Sequence, residues 1–323
     1  FRNIFMKDVT SEYVKTCDIM IPTQKKRNHK HAYLAVFDNQ KWVPICYGTQ
    51  KGKVCYFNEI GKDIAYLPLY YDNQGIHPIT DPFILDSRGR IKYLHADTSK
   101  RKKVILSRKY YLAKHIFDYA KTLTGGHFEA SNNPDFSDPD TIHTISHWLL
   151  SADSFEIKPQ KTYRYWRYVS AKNKGCNLAE LAFYSDKEEK ELTGTIIGTN
   201  ASVRYDTMPM DKSKVFDKDI LTYYEAPSTV DYPWVGLDFN KPVSINKIIY
   251  TPRNDDNNIH AGDLYELFYW EYNHWMSLGQ QRAIESKLTY TNVPDNTLLL
   301  LKDLTKGEEE RIFTYENDKQ VWW

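Results

Sequence analysis

The run Arg253 to His260, RNDDNNIH, sets seven polar side chains beside one isoleucine. Arg253 offers a planar fork of donors, and Asn254, Asp255 and Asn257 offer paired donors and acceptors. Vicinal sugar hydroxyls each donate and accept, so this set matches a glycan. His260, or a loop aromatic such as Tyr223 or Tyr224, could supply an adjoining surface for a sugar ring. The same residues also admit a structural role, in which Arg253 and Asp255 pair and only stiffen the loop. Covalent chemistry has less support. The chain contains no GxSxG elbow, HExxH, P-loop or GxGxxG. Its ten histidines and four cysteines form no dyad with distinguishing context. A glycosidase pair among the 42 acids stays open. Recognition without catalysis is the expectation.

Polar groups need rigid elements to hold them, and short strand-like runs dominate this chain. Residues 32–37 (AYLAVF), 42–47, 54–57, 64–71 and 82–85 are separated by Asp-Asn and glycine turn signals, a spacing typical of a β-sandwich. Residues 98–103 (TSKRKK) and 186–191 (DKEEKE) read as solvated boundaries. Between them, Leu112, Ile116, Tyr119 and Leu123 recur at helical spacing, with Ser107 as a candidate cap and Gly125-Gly126 as a stop. Residues 104–111 would equally suit a strand. Further strands are expected at 163–169 (YRYWRYV), 178–184 (LAELAFY), 234–239, 245–250, 264–270, 298–301 and 311–315. The loop at 253–260 then lies between two strands. Residues 125–138 form a second polar loop, for which turn chemistry is a sufficient account.

Composition narrows the partners. With 43 basic and 42 acidic residues, the net charge of +1 gives no basic patch for nucleic acid or an anionic membrane. No run approaches the ~20 apolar residues of a membrane span. The 25 tyrosines and 8 tryptophans suit strands first and ligands second. Cys17, Cys46, Cys55 and Cys176 contain no CxxC pair, which argues against zinc. Cys46 and Cys55 flank a hairpin-like segment, and their redox state stays open.

Several of these segments, taken in order, resemble discoidin-like domains, the coagulation-factor type C group of the galactose-binding-like superfamily. The resemblance rests on YRYWRYVS and NLAELAFYS, on VFDKDILTYYEA at 215–226, on WVGLDFNKPVSINKIIYTPRNDD, and on LYELFYWEYNHWMSLG. Residues 309–323 (EERIFTYENDKQVWW) resemble the ends of secreted multidomain proteins of glycan-degrading bacteria, where such modules often follow a transglutaminase-like domain. The resemblance implies a mostly β chain of tandem sandwiches. An immunoglobulin-like or related sandwich would occupy 1–100, a discoidin-like one 101–188, and a galactose-binding-like jelly roll 189–323. It implies a secreted, periplasmic or cell-surface location, a glycan ligand and an adjacent domain of a larger protein. The alternative is that these modules only orient a catalytic domain. The resemblance further implies a structural calcium ion held by Asp217, Asp219 and Thr222. Two departures stand out. Lys218 replaces the usual glycine of the Asp-Gly loop, and Glu180 of the Ala-Glu-Leu motif precedes that loop instead of following it. Two tandem domains or a permuted strand order would each explain the second departure, and tandem domains are the expectation. Arg253→Ala is expected to abolish glycan binding with little loss of Tm.

Overall fold

The computed structural model describes residues 14–17, 32–48, 54–57, 63–88, 90–158, 161–185, 190–201, 210–227, 229–307 and 311–323. It is mostly β, as expected, with several antiparallel sheets. The chain forms two compact units, one from residues 1–111 with 259–323 and one from 112–258. No helix among the described residues is long and apolar enough to cross a membrane.

The first unit opens with strands β1 (Val14–Cys17), β2 (Ala32–Asp38), β3 (Lys41–Gly48), β4 (Val54–Phe57), β5 (Ile64–Asp72), β6 (Gly75–Pro78), β7 (Phe83–Leu85) and β8 (Ile91–Tyr93). All eight lie in a single antiparallel sheet ordered β1-β4-β3-β2-β5-β7-β8, with β6 on β5. Among the described residues, these strands of 1–100 form one sheet that packs on Trp270, Leu298, Leu300 and Ile312 from the far end of the chain, and not the self-contained sandwich expected there. The side chains of Cys17, Cys46 and Cys55 lie outside the described residues, and with them the disulfide question. Strand β9 (Asp97–Leu106) absorbs the basic run 98–103. The run reads as a boundary because its lysines and arginine are largely exposed, but Val104 and Leu106 of the same strand are fully buried.

The second unit contains helix α1 (Lys114–Lys121), then β10 (His127–Ser131), β11 (Asp140–Thr144), β12 (Asp153–Glu156), β13 (Tyr163–Val169), β14 (Leu178–Tyr184), β15 (Thr195–Gly198), β16 (Trp234–Val243) and β17 (Lys247–Pro252). The helix begins at Ala113, which gives no side-chain cap, and not at Ser107. The residues before it went to β9 and a short irregular segment, the strand option that the sequence left open. A five-stranded sheet, β11-β10-β13-β16-β15, faces a three-stranded sheet, β12-β17-β14. Trp166, Tyr168, Val235 and Leu237 from the larger sheet share one core with Leu181, Phe183, Ile248 and Tyr250 from the smaller.

This pairing corrects the tandem arrangement. YRYWRYV on β13 pairs with WVGLDF on β16, and LAELAFY on β14 pairs with KIIYTP on β17. The two halves expected in separate modules build a single sandwich, and residues on both sides of 188 share its core. Sequence order separates these strands, but backbone pairing joins them, because neither half has enough strands to cover its own apolar face. Residues 186–189 of the acidic and basic run lie outside the described residues. Gly236 marks the tightest join, since a Cβ there would lie 2.0 Å from the Trp166 carbonyl oxygen.

The chain then returns to the first unit with β18 (Leu264–Glu271), β19 (His274–Arg282), β20 (Leu288–Asp295), β21 (Leu299–Asp303), β22 (Ile312–Glu316) and β23 (Lys319–Trp322). Five of these form the sheet β19-β18-β21-β22-β23, and β20 pairs with β9 as a two-stranded ribbon. Side chains alternate across the five-stranded sheet. Tyr265, Leu267, Leu299, Leu301 and Phe313 pack with Val104, Leu106, Leu288 and Tyr290 of the ribbon. Trp270, Leu298, Leu300 and Ile312 pack on the other side with Ala35, Leu67, Leu69 and Ile84 of the N-terminal sheet.

The tryptophans are accounted for by packing. Trp270 meets Trp275 and Trp42 edge to face at 5.2 and 5.8 Å. Trp322 packs on Phe313, and Trp323 joins the opposite core while donating Nε1–H to Thr314. Expressed alone, residues 112–258 should melt cooperatively and residues 101–188 should not, because the latter lack β16 and β17. Circular dichroism melting with amide NMR dispersion checks this, and a folded 101–188 fragment would overturn the single-core architecture.

Candidate ligand-binding site

Arg253 follows β17, where the chain leaves the three-stranded sheet. Its backbone N–H donates to the Asn177 carbonyl at 2.9 Å, which ties it to the entry of β14. The guanidinium lies between two rings, with its carbon 3.7 Å from the Tyr119 centroid and 3.5 Å from that of Tyr223. Nη1 donates to Glu225 Oε2 at 3.2 Å and to Asn177 Oδ1 at 3.3 Å. The Arg253 and Glu225 side chains are 16% and 12% exposed. A flat cation stacked on both faces and held at one edge cannot reorient, so the cluster is preorganised.

The partner of Arg253 is therefore Glu225, not Asp255. Tyr119 was legible only as a helical core position, and no sequence signal singles out Glu225 or Asn177. Removing Arg253 would leave the Glu225 carboxylate poorly solvated, which contradicts the expectation that Arg253→Ala is harmless to the fold.

The other loop residues turn inward. Asn254 Nδ2 donates to the Pro252 carbonyl, and Asn254 Oδ1 accepts from the Asp256 N–H. Asp255 Oδ1 accepts from the Asn257 N–H at 3.3 Å, and Asn258 Nδ2 donates to the Leu150 carbonyl. Asn254, Asp256, Asn257 and Asn258 are all buried. The Asn254 and Asp255 bonds are local side-chain turns of the kind that Asn and Asp favour, while the Asn258 bond reaches a distant segment. His260 belongs to the other unit, and its N–H donates to the Tyr265 hydroxyl.

Tyr223 stays half-buried beside Arg253. Tyr224 is corrected to a core residue: it is fully buried, and its hydroxyl donates to the Thr199 carbonyl. Adjacent residues on a locally extended chain point to opposite sides, so only one of the pair could reach the loop. The polar loop expected at 125–138 is partly strand, since β10 takes His127–Ser131; of the residues that follow, 132–135 and 137–138 are exposed and Phe136 alone turns inward, its ring 3.8 Å from the Arg167 guanidinium.

The loop expected to hold calcium follows a 3₁₀ turn, Lys212–Phe216, whose Ser213 N–H donates to the Asp211 side chain. Both Asp217 carboxylate oxygens accept from the Thr222 hydroxyl at 3.0 Å, and Oδ1 also accepts from the Asp219 N–H. Lys214 Nζ sits 3.1 Å from Asp217 Oδ2. Asp219 turns its carboxylate to the Leu221 N–H. Lys218 adopts φ 65°, in the left-handed region that favours glycine. Its ammonium pairs with Glu191 at 3.1 Å.

Glu180, on β14, completes this cluster. Burial, then repulsion from Asp217 and Glu191, pushes its carboxyl up to about 7. Burial works the same way on Asp217, but donors from Asp219, Lys214 and Thr222 outweigh it and hold that carboxyl below its usual range. One Glu180 oxygen is buried and accepts no hydrogen bond. Hard oxygens with an orphaned carboxylate fit a calcium ion. No three His, Cys, Asp or Glu side chains among the described residues stand close enough to hold a metal alone. Thr222 and backbone carbonyls would have to complete such a set, with Lys214 displaced from Asp217.

The Glu180 shift has a sign that can be tested. Its folded value lies above the usual carboxylate value, so the unfolded chain loses the proton first as pH rises. Stability therefore falls as pH climbs from the usual carboxylate value to about 7, and levels off above it. Glu180→Gln should melt higher than wild type above that window, with the gain vanishing near pH ~4. Paired melts at the two pH values check this; an equal gain at both would remove ionisation as the cause. Comparison of the chain with family models, curated proteins and solved structures finds no match.

Proposed function

We propose that this protein binds glycans without catalysis, as part of an exported or cell-surface protein. Residues 112–258 serve as a discoidin-like, galactose-binding-like module whose strands run in permuted order. The observation that carries this reading is the Tyr119–Arg253–Tyr223 stack with Glu225 and Asn177 at its edge. It places a rigid cation, aromatic rings, a carboxylate and an amide together at the loop end of a sandwich. Sugar hydroxyls would meet donors and acceptors there, and a ring would stack on tyrosine. Affinity is modest, because a small site immobilises few contacts and water competes for every hydroxyl.

In this reading calcium is structural and sits against Glu180, Asp217, Thr222 and neighbouring carbonyls. It would neutralise repulsion between carboxylates and stiffen the loop that leads to Tyr223. The second reading, modules that orient a catalytic domain beyond this chain, draws on the burial of Asn254 and Asn257. Under it, the Arg253 cluster is a structural pin and binds nothing.

A glycan array with and without calcium separates the two. The expected result is a reproducible hit that Arg253→Lys reduces at least ~10-fold, because lysine keeps the charge but lacks the flat, forked surface. Tyr223→Ala should weaken the same hit. A wild-type protein with no hit, or variants that bind as well as wild type, would leave the accessory role. Calcium should also raise the Tm of wild type and leave that of Asp217→Asn unchanged, measured by scanning calorimetry. An equal rise in both proteins would move the ion elsewhere.

A further inference from the structure

Lys109 and Asp303 form a deeply buried pair of opposite charges, with side chains 1% and 0% exposed. Both belong to the first unit. Pairs such as Arg167–Glu129 and Arg253–Glu225 retain more contact with solvent. Lys109 lies just beyond β9, in a segment pinned on both sides of its backbone by Gln320. The Gln320 Oε1 accepts from the Ser107 N–H, and its Nε2 donates to the Arg108 carbonyl. Asp303 ends β21 directly opposite Tyr265, which is itself fully buried.

The geometry has the parts of an amide-forming site. Nζ stands 3.2 Å from Oδ2 of Asp303. The other carboxylate oxygen, Oδ1, accepts from the N–H groups of Thr305 and Lys306, both at 3.0 Å. Two backbone donors aimed at one carboxyl oxygen can stabilise negative charge that develops there. Keeping two charges out of water costs several kcal/mol per ion, and an amide between them would remove both charges. Burial in one packed unit keeps the amine against the carboxyl group for the lifetime of the fold.

We propose that Lys109 and Asp303 join in an intramolecular isopeptide bond. The ammonium passes one proton to Oδ2, which leaves a neutral amine beside a neutral carboxylic acid. The amine lone pair attacks Cγ, and charge collects on Oδ1 under the Thr305 and Lys306 N–H groups. A second proton passes from Nζ to the departing hydroxyl, the Cγ–Oδ2 bond breaks, and water leaves. Nζ keeps its last hydrogen as an amide N–H. No oxidant, cofactor or second substrate enters, and two buried charges disappear.

The test is the intact mass of the reduced, denatured wild-type protein, taken fresh and after prolonged incubation in its folded state. The expected mass falls short of the sequence mass by one water. A protease digest should then yield one branched peptide carrying both Lys109 and Asp303. Lys109→Met and Asp303→Ala should each restore the full sequence mass. Full mass in the wild type at both times, with the two peptides recovered separately, would overturn the proposal. So would a one-water loss that maps to another site or survives in either variant.

Discussion

A β-sheet has two faces, and burying both is the constraint that organises the first unit. The sheet β19-β18-β21-β22-β23 is apolar on each side, and neither side is covered by its own strands. One face takes the β9/β20 ribbon, and the other takes the N-terminal sheet. Each apolar square ångström removed from water contributes ~25 cal/mol, so a sheet buried twice concentrates stability in few residues. Trp322 and Trp323 belong to opposite cores, consistent with the strand alternation that places successive side chains on opposite sides.

The same accounting explains the second unit. Its two sheets take strands from both halves of residues 112–258, so the loops of the candidate site come from distant segments. Tyr119 arrives on a helix, Asn177 at the start of β14, Tyr223 and Glu225 from the turn region, and Arg253 after β17. The acid cluster is assembled likewise, with Glu180 on a strand and Asp217 on a loop. Both candidate sites thus exist only when this sandwich is complete.

Much of this was legible in the sequence and some was not. The strands at 163–169, 178–184, 264–270 and 311–315 were readable because alternation and turn residues agree. Residues 298–301, four leucines in a row, were readable as a strand; that its two faces enter different cores came only from the structure. The basic run at 98–103 misled because solvent-facing charge on a ribbon looks like a linker. Strand order was beyond reach, since it is set by pairing between segments some 70 residues apart. The site residues divided on the same line. Arg253 declared itself by type and position, while Glu225 was one acid among 42. The Asn and Asp residues of the loop were indistinguishable in sequence from ligand-facing groups, because the chemistry that binds hydroxyls also closes turns.

The insertion of residues 112–258 within the first unit has a consequence for biosynthesis. Translation releases the N-terminal sheet long before the strands that cover its inner face. That face, which includes Ala35, Leu67 and Ile84, must wait through the synthesis of about 170 further residues for Trp270 and its neighbours. The inserted sandwich, by contrast, emerges as one continuous segment and can close on itself meanwhile. A ribosome-bound chain would then carry a folded middle and an uncovered apolar sheet, the kind of surface that chaperones hold and that aggregation exploits. The first unit can complete its core only after residues 264–323 have been made.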